Sequence, residues 1–225
     1  MDLDRLAFSF FNGAIAAEYW PDILKGFLLT LRLGLAVIAC GLALGLVLAL
    51  VRAFHFKPAN ALIIVFADVM RALPPLVVII LFFFAFPYAG VSMTEFTATW
   101  LALTLVLAAF AEEIFWAGIV AIHRGQWEAA RSTGMSTAQT LVHVIVPQAV
   151  RITIPPLTNR TIAITKGTAL GSVVALSDIL GAASSATSLA GNATPLTLGA
   201  AAYLVLFVPF VLFGRWVETR FAWKR

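Results

Sequence analysis

Charged residues are scarce in this chain of 225 residues: Asp, Glu, Lys and Arg make up 12% of it, against 61% hydrophobic residues. Soluble domains are about one-quarter charged, so the composition argues against a water-soluble globular protein. Three long stretches contain no charge, namely residues 33–51, 72–94 and 179–214. A helix needs about 20 apolar residues to cross a bilayer. The sequence therefore predicts an integral membrane protein.

Cysteine is almost absent, since Cys40 is the single one in the chain. One cysteine excludes an internal disulfide framework, and its position in an apolar run predicts a small packing residue. Residues 1–5 lack the basic start and early apolar core of a secretory signal, so no cleavage is expected.

Lysine and arginine are missing from two connections between apolar runs, one around Glu95 and one over residues 178–195. The other connections carry the basic residues Arg52, Lys57, Arg124, Arg131, Arg151, Arg215, Arg220, Lys224 and Arg225. Because cytoplasmic loops are rich in Lys and Arg, this pattern predicts an external N-terminus and a cytoplasmic C-terminus. The net charge of +4 is thus assigned to membrane topology and not to nucleic-acid binding.

The apolar runs predict an all-α membrane domain over residues 26–216, between an external N-terminal segment, 1–25, and a basic cytoplasmic tail, 217–225. Five spanning helices are expected at about 26–51, 61–86, 96–119, 152–176 and 195–215. Pro74 and Pro75 should break the second helix, and Pro155 and Pro156 lie near the start of the fourth. Residues 178–194 predict a short external helix or loop. Two pairs of glycines at small-xxx-small spacing indicate helix contacts: Gly41 with Gly45, and Gly167 with Gly171.

The cytoplasmic segment 123–147 has the signals of two short helices joined by a sharp corner. Gly125 suits an N-cap, and Gly134 suits the left-handed position that ends a helix. Ser136 followed by Gln139 has capping-box spacing, and Pro147 disfavours helix at the residue before it. These signals fit a rigid corner that transmits force from a partner. They fit an ordinary amphipathic surface turn equally well.

The same segment resembles a family signature. Glu128-Ala129-Ala130, followed by Gly134 and by Val146-Pro147, is similar to the "EAA" motif of permease subunits of binding-protein-dependent ABC importers. Further stretches resemble the polar amino-acid branch of that family, in this order: Gly26, Thr30 and Leu31; Arg71 and Pro74; Glu113 and Ile114; Gln148, Ala149 and Arg151; Pro155, Pro156, Leu157 and Asn159; Lys166, Thr168 and Leu170. The resemblance implies a type I ABC importer permease fold. It also implies that Gly125, Glu128, Ala129, Ala130, Gly134 and Pro147 couple the chain to an ATPase.

The chain has no Gly-rich loop ending in Gly-Lys-Ser/Thr, so any ATPase must be a separate polypeptide. The resemblance implies a non-catalytic subunit of the bacterial inner membrane without a cofactor of its own, ATP and Mg²⁺ being held by an ATPase dimer. It also implies an extracytoplasmic solute-binding protein. A second permease, identical or homologous, is expected because five helices scarcely enclose a pathway. Membrane lipid is the remaining expected partner, and no nucleic acid is expected.

Several polar residues in the membrane runs are candidates for lining the cargo path: Glu112, Glu113, Trp116, Lys166 and Thr168. Intramembrane charges are costly, so each asks for a partner or a function. A salt bridge between Glu113 and Lys166 is one possibility, and contact with a zwitterionic cargo is the other. Glu112 and Trp116 share a helical face, which suits a cation, and Glu112 has no obvious partner in the sequence. The third-helix and Lys166-Gly167 stretches depart from the family pattern, which concerns the cargo and not the coupling motif.

Two other classes of membrane protein fit the sequence less well. A membrane enzyme would need a catalytic or metal cluster, but the three histidines are far apart, in predicted cytoplasmic segments. An ATP-independent carrier conflicts with the coupling motif and with the lack of an internal repeat.

Overall fold

A computed structural model describes residues 3–221, and every regular element in that range is helical. The α-helices are α1 Leu3–Phe10, α2 Gly13–Ala53, α3 Lys57–Ala72, α4 Pro75–Ile80, α5 Glu95–Ala121, α6 Arg124–Ser132, α7 Thr137–Thr140, α8 Val146–Lys166, α9 Ile179–Ala190 and α10 Thr194–Phe221. π-helical turns cover Leu81–Ala85 and Leu141–Ile145, and 3₁₀ turns cover Phe86–Ala89 and Gly167–Val174. The predicted all-α class is confirmed.

Within the described residues, four helical stretches are long and apolar enough to cross a membrane. They are Leu3–Ala53, Glu95–Ala121, Thr137–Val174 and Thr194–Phe221. A fifth span results if α3 and the helical stretch Pro75–Ala89 count as one broken span. The break falls at Leu73 and Pro74, where Leu73 is extended (φ −83°, ψ 133°) because the following proline disfavours helix there. The predicted break in the second helix is confirmed.

Three predicted helix limits are wrong. The first spanning helix begins at Gly13, well before residue 26, because Asn12 Oδ1 accepts hydrogen bonds from the amides of Ala14 and Ile15. The polar residues between 13 and 25 hide this extension from a hydropathy argument. The fourth helix is continuous from Thr137 and does not start at residue 152. The fifth continues to Phe221, into the predicted basic tail, whose last four residues lie outside the described range.

The chain forms two compact units. The first unit comprises the described residues of Met1–Val37, Pro75–Leu103 and Thr165–Val211. Its core contains Ile23 on α2, Ile179 and Ala183 on α9, and Ala202 on α10. Of the short helix or loop expected over 178–194, the structure has the helix, α9.

Asp178 is the N-cap of α9 and is fully buried. One carboxylate oxygen accepts from the amide of Gly181 at 2.9 Å and the other from the hydroxyl of Tyr203 at 3.0 Å. Burial raises the pKa of Asp178, and these two hydrogen bonds oppose the rise. The Thr30 hydroxyl accepts from the amide of Ile179 at 3.1 Å, so α9 is tied to α2 as well.

The second unit comprises Ile38–Pro74, Thr104–Ile164 and the described residues of Leu212–Arg225. What we call the second-unit core consists of Ala49, Ala53, Ala111, Phe115, Ile119, Ile122, Leu141, Ile145, Ala149 and Leu157. Helices α2 and α5 approach closely at the predicted glycine pair. A Cβ built on Gly45 would lie 2.6 Å from the Ala111 Cβ, and one on Gly41 would lie 2.8 Å from Leu107. Cys40, on the same helix, is exposed and not packed as predicted.

Candidate functional site

Helix α6 opens the predicted coupling segment, and its N-cap is His123, not Gly125. The His123 ring Nδ1 accepts from the amide of Gly125 at 3.1 Å, so Gly125 lies inside the first turn. Sequence reasoning favoured glycine because it ranks above most residues as a cap. The imidazole nitrogen is an acceptor at the same place and takes that role.

The two faces of α6 differ sharply. Trp127 packs against the second-unit core and Ala130 is buried, whereas Glu128 and Ala129 are exposed. Of the two alanines of the motif, Ala130 is therefore buried and Ala129 lies on the exposed side with Glu128. This face is available to a partner.

The corner after α6 has the predicted geometry. Gly134 has φ +87°, in the left-handed region that suits glycine, and its amide donates to the carbonyl of Arg131 at 3.0 Å. A Cβ at Gly134 would meet nothing within 4 Å, so the requirement comes from the backbone and not from crowding. The capping box is also present: Ser136 Oγ accepts from the Gln139 amide at 3.3 Å, and Gln139 Oε1 accepts from the Ser136 amide at 2.9 Å.

Pro147 was predicted to disfavour helix at Val146, and this prediction is wrong. Val146 before it is helical (φ −59°, ψ −44°), and α7 continues into α8 through the π turn Leu141–Ile145. Proline has no N–H group to donate to the helix. Because Pro147 falls in the first turn after the π turn, no helical hydrogen bond is lost there. Nearby, Gln148 Nε2 donates to Gln126 Oε1 at 3.1 Å and ties α8 to α6. The prediction of two short helices over residues 123–147 is thus only partly correct, because α6 is short but the second helix continues into a long one.

The acidic pair on α5 has internal partners that the sequence did not reveal. Glu112 is fully buried, and Arg52 Nη1 donates to its two carboxylate oxygens at 3.0 and 3.3 Å. The same guanidinium lies over the Trp116 ring, 4.7 Å from its centroid. The cation expected at Glu112 and Trp116 is therefore present within the chain, and the view that Glu112 lacks a partner is wrong.

Glu113 is half-exposed and forms an ion pair with Arg71, which also bonds Asp68 at 3.0 Å. Glu113 thus pairs with Arg71 and not with Lys166, the partner considered from the sequence. Lys166 lies exposed at the end of α8 in the first unit. Thr168 is buried there and donates its hydroxyl to the Thr165 carbonyl at 2.9 Å.

Glu112, Glu113 and Trp116 thus lie together on α5, and Lys166 and Thr168 belong to the other unit. The sequence did not reveal Arg52 and Arg71 as the partners of these acids. Arg52 was assigned to a cytoplasmic connection, and Arg71 to the family resemblance. Their position at the C-terminal turns of α2 and α3 was the available signal. Among residues 3–221, no group of three His, Cys, Asp or Glu residues could hold a metal ion.

Comparison with known proteins gives consistent matches. The family model for the binding-protein-dependent transport system inner membrane component matches residues 41–223. The probable glutamine ABC transporter permease protein GlnM of Bacillus subtilis is 33% identical over 93% of this chain and 97% of its own length. The arginine transport system permease protein ArtQ of the same organism is 32% identical over 89% and 92%. A crystal structure of an amino acid ABC transporter with histidines has a TM-score of 0.81 and 32% identity, covering 91% of this chain and 96% of the solved one.

Proposed function

This chain belongs to the family of binding-protein-dependent transport system inner membrane components, and we propose on that premise that it imports a polar amino acid or a related small zwitterion or cation. It is the non-catalytic transmembrane permease subunit of an ABC importer, and ATP is hydrolysed by a separate subunit. The relatives named for glutamine and arginine support the cargo class. The earlier alternatives, an enzyme and an ATP-independent carrier, are not retained.

The observation that supports coupling is the two-faced α6. Its inner face is fixed by Trp127, Ala130 and the Gln126–Gln148 hydrogen bond, and its outer face presents Glu128 and Ala129. A rigid, capped helix of this kind can transmit a movement of a bound partner to α5 and α8. We infer that an ATPase dimer carrying ATP and Mg²⁺ docks on this face, with Gly134 setting the corner behind it.

The remaining partners follow from the family and from the size of the chain. Four or five spans form only part of a pathway, so a second permease, identical or homologous, completes it. A solute-binding protein delivers cargo on the side opposite α6. In this proposal the N-terminus is outside and the C-terminus is in the cytoplasm of a bacterium. Among the candidate path residues, Glu113 and Lys166 carry exposed charges, and we infer that these two contact the cargo. The Arg52–Glu112–Trp116 group forms part of the wall of the cargo path.

Co-purification tests the proposal. The affinity-tagged chain, co-expressed with the ATPase and binding-protein genes that neighbour its own, should bring down the ATPase in detergent. A cysteine at Ala129 should cross-link to that ATPase in a Cys40→Ala background, and a cysteine at exposed Leu189 on α9 should not. Recovery of the chain without any ATPase would contradict the proposed function.

A further inference from the structure

Arg160 is an arginine of α8 to which neither the sequence nor the family match assigns a role. It lies midway along the helical stretch between Pro147 and Val174, so about 20 Å of helix separates it from Pro147 and about 25 Å from Val174. An arginine side chain cannot span that distance to reach a membrane surface. Its guanidinium therefore needs a partner at membrane depth.

Arg160 stacks on an aromatic ring. Its guanidinium carbon lies 3.7 Å from the centroid of the Phe110 ring on α5. Stacking uses the flat face of the guanidinium and leaves its N–H donors pointing outward in the plane. In the described part of the chain, no ion pair or hydrogen bond from Arg160 to a carboxylate is present.

Arg52, in the same unit, shows the completed form of this arrangement. Its guanidinium stacks on Trp116 and also donates to the Glu112 carboxylate. Arg160 has the ring but not the carboxylate, and the two acids of α5 are engaged by Arg52 and Arg71. Arg160 therefore stacks on a ring as Arg52 does, but it has no carboxylate partner among residues 3–221.

The surroundings of Arg160 leave room for such a ligand. Arg160 is half-buried, and its helix neighbours Asn159 and Ala163 are exposed. One turn from Phe110 along α5, Glu113 is half-exposed too. Polar side chains on an exposed surface at membrane depth are typical of a solute path. We propose that Arg160, seated on Phe110, binds the carboxylate of the transported solute, an inference that rests on the proposed import of amino acids.

The test is ligand binding to the purified permease–ATPase complex without the binding protein, so that selection by the binding protein does not contribute. The probes are radiolabelled L-glutamine, L-arginine and agmatine, the last being arginine without its carboxylate. Wild-type complex should bind at least one of the two amino acids, and arginine more tightly than agmatine. Arg160→Gln should weaken amino-acid binding roughly ten- to hundredfold, the range expected for a lost charge-assisted hydrogen bond. Agmatine binding should not change, and Arg160→Lys should be intermediate because it keeps the charge but not the planar fork.

Arg151→Gln is the matched control, because Arg151 is an exposed arginine of the same helix near its start. It should leave binding of all three probes unchanged. Unchanged amino-acid affinity in Arg160→Gln would overturn the inference while leaving the proposed function intact. Loss of permease assembly in Arg160→Gln with normal affinity per assembled complex would overturn it too, since Arg160 would then pair with a second permease. If the wild-type complex neither binds nor imports any amino acid, the proposed cargo class fails, and this inference with it.

Discussion

Arg52 and Glu112 are 60 residues apart in the chain and form a buried ion pair, with 3.0 Å between Nη1 and the nearer carboxylate oxygen. Glu112 is wholly inaccessible, and the side chain of Arg52 is 19% exposed. The pair joins the C-terminal turn of α2 to the middle of α5. An acid that looked like a cargo ligand in the sequence is thus a structural member of the second unit.

Breaking this pair should destabilise the protein strongly. Glu112→Ala leaves Arg52 without its carboxylate, and removing one partner of a buried pair costs about 3–5 kcal/mol. The control is Glu113→Ala, which removes the adjacent, half-exposed acid and should cost much less. The measurement is the fraction of protein still monodisperse after heating in detergent. Equal thermal stability of the two variants would show that the buried pair is not structural.

The corner at Gly134 should be needed for coupling but not for membrane insertion. A branched residue at φ +87° is strained, so Gly134→Val should reduce ATPase association and uptake severalfold at a normal membrane level. Gly134→Asn is the matched control, because asparagine tolerates the left-handed region and no atom crowds the site. Wild-type uptake by Gly134→Val would show that the corner transmits nothing.

Gly26 should be required for docking of α9. A Cβ at this position would lie 2.7 Å from the Asp178 carbonyl oxygen, a backbone atom that cannot easily move. Gly26→Ala should therefore lower the free energy of unfolding by roughly 1–3 kcal/mol, which is seen as a lower melting temperature. Gly13→Ala, at a position where a Cβ meets nothing within 4 Å, should be neutral or slightly stabilising. Identical melting of the two variants would contradict the close approach of α2 to the start of α9.

The predicted orientation can be tested by labelling. In a Cys40→Ala background, which removes the one exposed native thiol, cysteines at Ser92 and Ser188 should react with an impermeant thiol reagent in spheroplasts. A cysteine at Ser132, on α6, should react only after the membrane is opened. Labelling of the cysteine at position 132 in sealed spheroplasts would show the opposite topology, with α6 on the side away from the ATPase.

Local signals explain what the sequence predicted correctly. The Pro74 break, the left-handed Gly134 and the Ser136 capping box each depend on a few neighbouring residues, so their geometry can be read from spacing. Charge partners cannot be read in that way. The partners of Glu112 and Glu113 come from other helices, and which side chains meet depends on how those helices pack. The prediction for Val146 fails because a π turn, Leu141–Ile145, precedes Pro147 and the helix continues through both.

The most direct test of the account is uptake into proteoliposomes that contain this permease, its second permease if separate, the ATPase and the binding protein. With ATP and Mg²⁺ on the ATPase side, a labelled polar amino acid such as glutamine or arginine should accumulate above its external concentration, and Gly134→Val should reduce the accumulation severalfold. Uptake that proceeds equally without ATP, or that never exceeds the external concentration, would contradict an ATP-driven importer coupled through α6.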